Sequence, residues 1–159
     1  NLNDCKLICN KLSISWSNNL LDNKNKKTSI FFLGYKKNPL EFIKNSKVFI
    51  FPSFDEGLSN QLLEAILCNV PIIATNCPGN KFIVDNIKES DSKNTPPIKL
   101  LPPLSSKSSK KIWLQVIDNF INGNIIFKNK GREKIVYKFS LEENSKKWIN
   151  LTECLLKEK

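Results

Sequence analysis

Residues 48–80 read VFIFPSFDEGLSNQLLEAILCNVPIIATNCPGN, and the fold prediction starts from this stretch. Residues 48–51 form an unbroken apolar run rich in β-formers, which predicts a strand buried on both faces of a parallel sheet. Pro52 ends that strand, and residues 71–75 form a second short apolar run of the same kind. The stretch therefore predicts two buried strands connected by a loop and a helix.

The helix between these strands begins at a junction that favours an anion. Ser59 or Asn60 can cap a helix that extends to about Cys68, and residues 53–58 form the loop before it. At such a junction, unpaired backbone N–H groups and the positive end of the helix dipole converge. The loop, which contains Gly57, is therefore predicted to bind a negatively charged group.

Strands and helices alternate on both sides of this stretch. Residues 29–33 and 98–101 predict further short buried strands, and a helix is predicted at residues 39–46. Residues 29–75 then have the order β-α-β-α-β, and connections this short favour parallel strands joined by right-handed crossovers. The chain is therefore predicted to have an α/β fold with a parallel sheet.

Helices are also predicted at both ends of the chain, where apolar residues recur at helical spacing. These helices cover residues 2–12, 105–123, 126–139 and 141–156, with Gly123 as a stop and Ser140 as an N-cap. The polar segments at residues 17–28 and 88–97 are predicted loops, and the turn-forming residues 76–80 are predicted to be a turn.

The charge of the chain is strongly positive. Lys and Arg number 25 against 15 Asp and Glu, which gives a net charge of +10, and Arg132 is the only arginine. A basic surface favours anionic partners such as nucleotides, acidic lipid headgroups or nucleic acid, although solvated lysines on an ordinary surface are the simpler explanation. No apolar run approaches the roughly 20 residues that span a bilayer, so we expect a soluble protein.

The chain of 159 residues is long enough for one domain with its own core. It begins with Asn1 and contains no Met, so we expect it to be a piece of a longer protein. The five cysteines form no CxxC pair, and the absence of histidine excludes His-dependent catalysis and leaves no zinc set. A reducing compartment fits this cysteine usage, and Cys5 and Cys9 are predicted to be buried on one helical face.

Two carboxylates stand on either side of the predicted anion site. Glu56 lies in the loop at the carboxyl end of a strand, where ligands bind in open α/β sheets, and Glu64 lies about one turn into the helix. An ionised glutamate accepts hydrogen bonds from two vicinal hydroxyls, so each suits a polyhydroxylated ligand. On spacing alone, a solvated loop acid and an ordinary surface helix residue explain the two glutamates equally well.

The same residues resemble a known family. The segments PSFDEGLSNQLLEA and CNVPIIATNCPGN are similar to the hallmark PS-x-x-EG-x-x-x-x-x-x-EA, followed by G-x-PVIAT, of the glycosyl transferase group 1 family. The tail YKFSLEENSKKWINL also resembles the closing helix of that family. These are retaining, nucleotide-sugar-dependent enzymes, and the resemblance implies a Rossmann-like parallel sheet flanked by helices, the C-terminal half of a GT-B fold, ending in helices.

The resemblance also implies that this half is incomplete. The family's first strand, with its Gly-Arg signature, and its N-terminal acceptor domain have no counterpart in the sequence. Residues 1–159 are therefore expected to form a single donor-binding domain that is inactive alone. Two further departures are Asn69, where the family commonly has glycine, and the loop NCPGNKF, where Lys81 and Phe82 stand in place of a glutamate. Asparagine tolerates the left-handed conformation that glycine prefers.

Carried over position by position, the resemblance implies roles for eight residues of this chain. Glu56 is the predicted catalytic residue and contacts the hydroxyls of the donor sugar, and Glu64 holds the ribose hydroxyls of the nucleotide. The remaining predicted donor-binding residues are Gly57, Leu58 and Ser59, whose backbone meets the diphosphate and sugar, with Asn60 nearby, and Gly34 and Tyr35, which border the base. No metal or other cofactor is expected, because the family generally needs none.

Three functions stay open at this point. The first is a glycosyltransferase of hexosyltransferase type, acting in cell envelope polysaccharide biosynthesis, whose partners are a nucleotide-sugar donor, a glycan or lipid-linked acceptor and the missing N-terminal domain. It would be cytoplasmic, and its basic face is compatible with contact with acidic lipid at the cytoplasmic side of a membrane. The alternatives are a nucleotide-binding module without transfer activity and, supported by charge alone, a nucleic-acid-binding protein. Nucleic acid is not among the expected partners.

Overall fold

The computed structural model describes residues 2–18, 29–88, 98–125 and 136–157. The chain divides into two compact units, Asn1–Pro39 and Leu40–Lys159. Within the described residues, no helix is long and apolar enough to cross a membrane. The single donor-binding domain over residues 1–159 stays a prediction.

The described residues of the N-terminal unit form one helix and two short strands. Helix α1 is Leu2–Lys11, strand β1 is Ser15–Ser17 and strand β2 is Ser29–Phe31. The two strands pair in parallel, with Trp16 opposite Ile30. The sequence prediction missed β1, because the segment SWS carries a single apolar side chain and shows no apolar run.

Two details of this unit correct the sequence prediction. Cys9 is buried, but Cys5 is exposed, so the two cysteines do not form a shared buried pair. Ile30 is also exposed, and the strand predicted to continue through Leu33 ends at Phe31, so β2 is shorter and less buried than predicted.

The C-terminal unit contains a three-stranded parallel sheet in the order β3-β4-β5. Its described strands are β3 (Phe49–Phe51), β4 (Ile72–Thr75) and β5 (Ile98–Leu101). Its described helices are α2 (Leu40–Lys44), α3 (Asn60–Leu67), α4 (Pro78–Lys88), α5 (Lys107–Ile121) and α6 (Leu141–Lys157). The parallel pairing and the alternation of strands and helices confirm the predicted Rossmann-like α/β fold, and they are consistent with one half of a GT-B fold.

The structure gives strand β2 a partner that the sequence prediction did not include. Strand β2 pairs with β1 in a two-stranded sheet, whereas β3 and β4 pair in the sheet of the C-terminal unit. The prediction counted strands only from Ser29 onward, so it did not include the parallel pairing of β2 with β1.

Strand β4 forms the centre of the C-terminal core. All four of its residues are buried, as predicted, because β3 and β5 flank it on both edges. Its side chains pack in two clusters, one with Leu62 and Ile66 of α3 and the other with Trp113 of α5. Strand β3 is the exception to the prediction of burial on both faces, since it lies at an edge of this sheet and Ile50 is 39% exposed.

Local backbone signals were mostly predicted correctly. Asn69 adopts a φ of 59°, which confirms that asparagine takes the left-handed conformation here. Gly123, with a φ of 75°, directly follows Asn122, the C-cap of α5, as its prediction as a stop requires. Ser140 Oγ accepts a hydrogen bond from the Glu143 N–H at 3.1 Å and so caps α6.

The start of α4 was predicted wrongly. Residues 76–80 were predicted to be a turn, but the helix already begins at Pro78. A proline is well suited to the first turn of a helix, because its missing N–H would have no helical partner there and its φ is already helical. Most of the helix predicted at residues 126–139 and nearly all of the loop predicted at 88–97 lie outside the described residues.

Candidate functional site

The loop between β3 and α3, residues 53–58, is the acidic loop of the C-terminal unit. It holds Glu56, whose side chain is half-buried. Ser53 Oγ donates a hydrogen bond of 2.6 Å to Glu56 Oε1. A short bond to one carboxylate oxygen fixes the orientation of the group, and among the described residues no partner is recorded for Oε2. The carboxylate is thus oriented with acceptor capacity left over for a ligand.

Helix α3 begins directly after this loop with a complete N-cap. Ser59 is 1% exposed, and its Oγ accepts a hydrogen bond of 3.3 Å from the Leu62 N–H. In the described part of the chain, no hydrogen bond is recorded from the N–H groups of Gly57, Leu58 and Asn60. The predicted cap is therefore confirmed at Ser59, and the loop and helix start present N–H groups that have no acceptor among the described residues.

Glu64 lies in the middle of α3, as predicted. The helix turns Leu62, Ala65 and Ile66 into the core, and Glu64 beside them is half-buried. Because Asn60 precedes Glu64 by four residues, the two lie one turn apart on the same helix face. A carboxylate one turn below the start of α3 therefore shares a helix face with the first residue of the helix.

The junction between β4 and α4 contacts the backbone of the acidic loop. The Gly79 N–H donates a hydrogen bond of 3.1 Å to the Glu56 carbonyl oxygen. A Cβ atom built at Gly79 would overlap the carbonyl oxygens of Glu56 and Gly57, so no side chain fits there without a shift of backbone. The loop NCPGNKF, which departs from the family pattern, thus contacts the acidic loop through its glycine.

The next residue anchors α4 to the sheet. Asn80 is fully buried, and its Nδ2 donates a hydrogen bond of 2.9 Å to the Thr75 carbonyl oxygen at the end of β4. Within the described residues, Thr75 Oγ1 and Asn80 Oδ1 are buried without a hydrogen-bond partner. A buried polar atom that makes no hydrogen bond carries a desolvation penalty.

This penalty predicts the effect of Thr75→Val, which replaces the hydroxyl with a methyl group of similar shape. We expect the free energy of unfolding to rise by about 1 kcal/mol, because an unsatisfied buried hydroxyl is removed. Urea denaturation of the full-length protein measures the change. Thr152→Val is the control, since Thr152 Oγ1 donates to the Trp148 and Ile149 carbonyl oxygens on exposed α6 and should give no gain. A clear loss of stability in Thr75→Val would contradict the prediction.

The predicted site residues are distributed over both units. The six residues Glu56, Gly57, Leu58, Ser59, Asn60 and Glu64 lie in the C-terminal unit, in the acidic loop and α3. Gly34 and Tyr35 lie in the N-terminal unit, where Gly34 has a φ of 60° and Tyr35 is 92% exposed. Their place beside a base stays a prediction. In the part of the chain that the structure describes, no group of His, Cys, Asp or Glu could hold a metal ion.

Sequence reasoning missed two residues of this arrangement. Ser53 precedes Glu56 by three residues in a loop, a spacing at which a serine hydroxyl often bonds a neighbouring polar group, so a local signal was present. Gly79 carried only the ambiguous signal of a Pro-Gly pair, because its contact with Glu56 joins segments that are distant in sequence.

Comparisons with known proteins show what this chain is similar to. The family described as Glycosyl transferases group 1 matches residues 13–95, just over half of the chain. An uncharacterized glycosyltransferase of Methanocaldococcus jannaschii is 41% identical over 58 residues, which cover 36% of this chain and 14% of that protein. The capsular polysaccharide biosynthesis glycosyltransferase CapH of Staphylococcus aureus is 32% identical over 84 residues, which cover 53% of this chain and 22% of that protein.

A further relative matches over a longer span. The poly(ribitol-phosphate) alpha-N-acetylglucosaminyltransferase of Staphylococcus aureus is 25% identical over 141 residues, which cover 83% of this chain and 25% of that protein. The chain thus spans a quarter or less of the length of these curated relatives. No solved structure matches the chain at a significant level. The family match covers the acidic loop, α3 and the start of α4, and the chain belongs to the glycosyl transferases group 1 family.

Proposed function

We propose that this chain supplies the donor-binding part of a retaining glycosyltransferase, which moves a sugar from a nucleotide-diphosphate sugar to an acceptor. The observation that carries the proposal is the acidic loop, in which Ser53 orients the Glu56 carboxylate directly before the capped start of α3. Family membership and the names of the relatives, all glycosyltransferases, support the same reaction class. The chain would form the C-terminal half of a GT-B fold.

In this proposal each part of the donor has its own contacts. Glu56 accepts hydrogen bonds from hydroxyls of the transferred sugar, and Glu64 accepts them from the ribose hydroxyls, because a carboxylate can bind two vicinal hydroxyls at once. The backbone of Gly57, Leu58 and Ser59, with Asn60 nearby, meets the diphosphate. Gly34 and Tyr35 border the base.

The proposed chemistry depends on where negative charge develops as the donor is cleaved. When the bond between the sugar and the diphosphate breaks, negative charge grows on the leaving diphosphate. N–H groups without an intramolecular acceptor, together with the positive end of the α3 dipole, stabilise that charge more in the transition state than in the ground state. Glu56 holds the sugar by its hydroxyls while the acceptor hydroxyl forms the new glycosidic bond and gives up its proton to the leaving diphosphate. No metal ion is needed for this division of roles.

The acceptor is proposed from the relatives and from charge. The names of two relatives refer to capsular polysaccharide and poly(ribitol-phosphate), which points to a glycan or lipid-linked acceptor of cell envelope polysaccharide synthesis. The net charge of +10 suits contact with acidic lipid, where such an acceptor is held. The protein would then act in the cytoplasm, at the cytoplasmic face of the membrane, and together with an N-terminal acceptor domain.

The proposal is tested by incubating the full-length protein with radiolabelled UDP-N-acetylglucosamine, UDP-glucose and GDP-mannose in turn, with a membrane extract as source of acceptor. We expect one donor to yield a labelled product whose anomeric configuration is that of the donor. Binding of a nucleotide sugar without any product would favour the nucleotide-binding module. Tight, strongly salt-dependent binding of a DNA duplex, without nucleotide-sugar binding, would instead favour the nucleic-acid-binding protein.

A further inference from the structure

The first turn of α4 is fixed by two hydrogen bonds to main-chain carbonyl oxygens, one from a side chain and one from the backbone. Asn80 bonds the end of β4, and Gly79 bonds the Glu56 carbonyl oxygen at 3.1 Å. The Glu56 carboxylate is in turn bonded by Ser53. The main chain and the side chain of Glu56 are therefore held by two different segments, and only one of them belongs to the acidic loop itself.

The contact at Gly79 leaves no room for adjustment. The atoms that a Cβ would overlap are backbone carbonyl oxygens of Glu56 and Gly57, not the end of a flexible side chain. Asn80 is fully buried, so the start of α4 cannot easily move away from the loop. A side chain at position 79 would therefore displace the acidic loop rather than the helix.

We propose that Gly79 is a positioning residue for the donor site, which sets the place of the Glu56 carboxylate through the contact of its backbone with the Glu56–Gly57 peptide. This inference rests on the proposed function, because it assigns Glu56 to the donor sugar. Gly79 itself need not touch the donor. The hydrogen bond from the Gly79 N–H and the absence of a side chain on Gly79 together fix the position of the acidic loop.

The test is a double-mutant cycle of Gly79→Ala and Glu56→Gln in the full-length protein. Calorimetry measures binding of whichever of UDP-N-acetylglucosamine, UDP-glucose and GDP-mannose the wild type binds most tightly. We expect Gly79→Ala to weaken binding roughly 10-fold or more, since a small misplacement of a binding group is costly. If Gly79 acts through Glu56, the fold-loss of affinity in the double variant should be clearly smaller than the product of the fold-losses in the two single variants.

The effect of misplacing the Glu56 carboxylate has to be distinguished from a general loss of protein stability. Gly123→Ala provides the control, because Gly123 has a φ of 75° at the end of α5, which alanine adopts poorly, and a Cβ there would meet no atom within 4 Å. It should lower the unfolding midpoint while the donor affinity stays within about twofold of the wild type. An equal loss of donor affinity in Gly123→Ala and Gly79→Ala would overturn the inference. So would a double variant whose loss of donor affinity equals the product of the losses in Gly79→Ala and Glu56→Gln.

A second measurement serves if Gly79→Ala does not fold. In the wild-type protein, binding of the same nucleotide sugar should slow hydrogen exchange at the Gly79 amide, because a ligand held by Glu56 also holds the carbonyl that accepts this N–H. An unchanged exchange rate would overturn the inference. If no nucleotide sugar binds the wild type, or if Glu56→Gln leaves binding unchanged, the proposed function itself fails. If Glu56→Gln weakens donor binding but Gly79→Ala does not, only the positioning role of Gly79 is refuted.

Discussion

The Glu56→Gln variant of the full-length protein is expected to transfer sugar roughly 10- to 100-fold more slowly than the wild type, because hydrogen bonds to a charged acceptor contribute about 1.5–3 kcal/mol. Glutamine keeps the size of the side chain but removes the negative charge. It also replaces one acceptor oxygen by a donor, so it cannot accept from two vicinal sugar hydroxyls. Product formation from the labelled nucleotide sugar measures the loss.

The neighbouring carboxylate provides a matched control for this prediction. Asp55 is exposed in the same acidic loop, and its recorded hydrogen bond is from Ser53 to its backbone carbonyl. Asp55→Asn removes the same charge from the same loop and should leave transfer within about twofold of the wild type, as expected of an exposed charge. Equal losses in the two variants would show that net charge, and not a directed carboxylate, accounts for the effect.

Ser53→Ala tests how far the orientation of the carboxylate matters. The substitution keeps Glu56 and its charge but removes the 2.6 Å hydrogen bond to Oε1. We expect a loss of roughly 5- to 10-fold, smaller than that of Glu56→Gln, because a hydrogen bond of this kind contributes about 1 kcal/mol or somewhat more. If Ser53→Ala were as active as the wild type, Glu56 would not depend on this bond for its position.

Local sequence signals predicted most of the C-terminal unit. Three of the four buried residues of β4, at positions 72–74, follow from an unbroken apolar run, and the cap at Ser59 follows from a serine at the start of an amphipathic segment. The left-handed Asn69 follows from the few residue types that tolerate a positive φ. Each of these depends on neighbours within a few residues, which is the range over which sequence patterns carry information.

The features that sequence reasoning missed depend on contacts between distant segments. Strand β1 exists because β2 supplies its hydrogen-bond partners, and three residues without an apolar run gave no sign of it. The role of Gly79 depends on the approach of α4 to the acidic loop, which brings together residues from two separate connections of the sheet. The places of Glu56 in a loop and Glu64 in a helix were thus predictable from sequence, whereas the backbone contact that holds Glu56 was not.

The second large effect is expected at Glu64. Glu64→Gln should weaken binding of both the nucleotide sugar and the free nucleoside diphosphate by roughly 10- to 100-fold, because a charged acceptor of ribose hydroxyls is lost from both complexes. Glu56→Gln should weaken binding of the nucleotide sugar more than that of the free nucleoside diphosphate, which lacks the sugar. Calorimetry with UDP, GDP and the corresponding sugars on the full-length protein separates the two patterns.

A change in the ligand tests whether Glu64 contributes to binding through the ribose hydroxyls. A 2′,3′-dideoxyribose analogue of the nucleoside diphosphate removes the hydroxyls that Glu64 is proposed to bind, so the wild type should bind it more weakly than the parent nucleotide. Glu64→Gln should bind the two nucleotides almost equally, since the interaction is already lost. Glu41→Gln, at an exposed carboxylate in α2, is the matched control and should keep the wild-type preference. If Glu64→Gln discriminates between the nucleotides as strongly as the wild type does, the ribose is held elsewhere, and the half-buried position of Glu64 beside the core of α3 has another role.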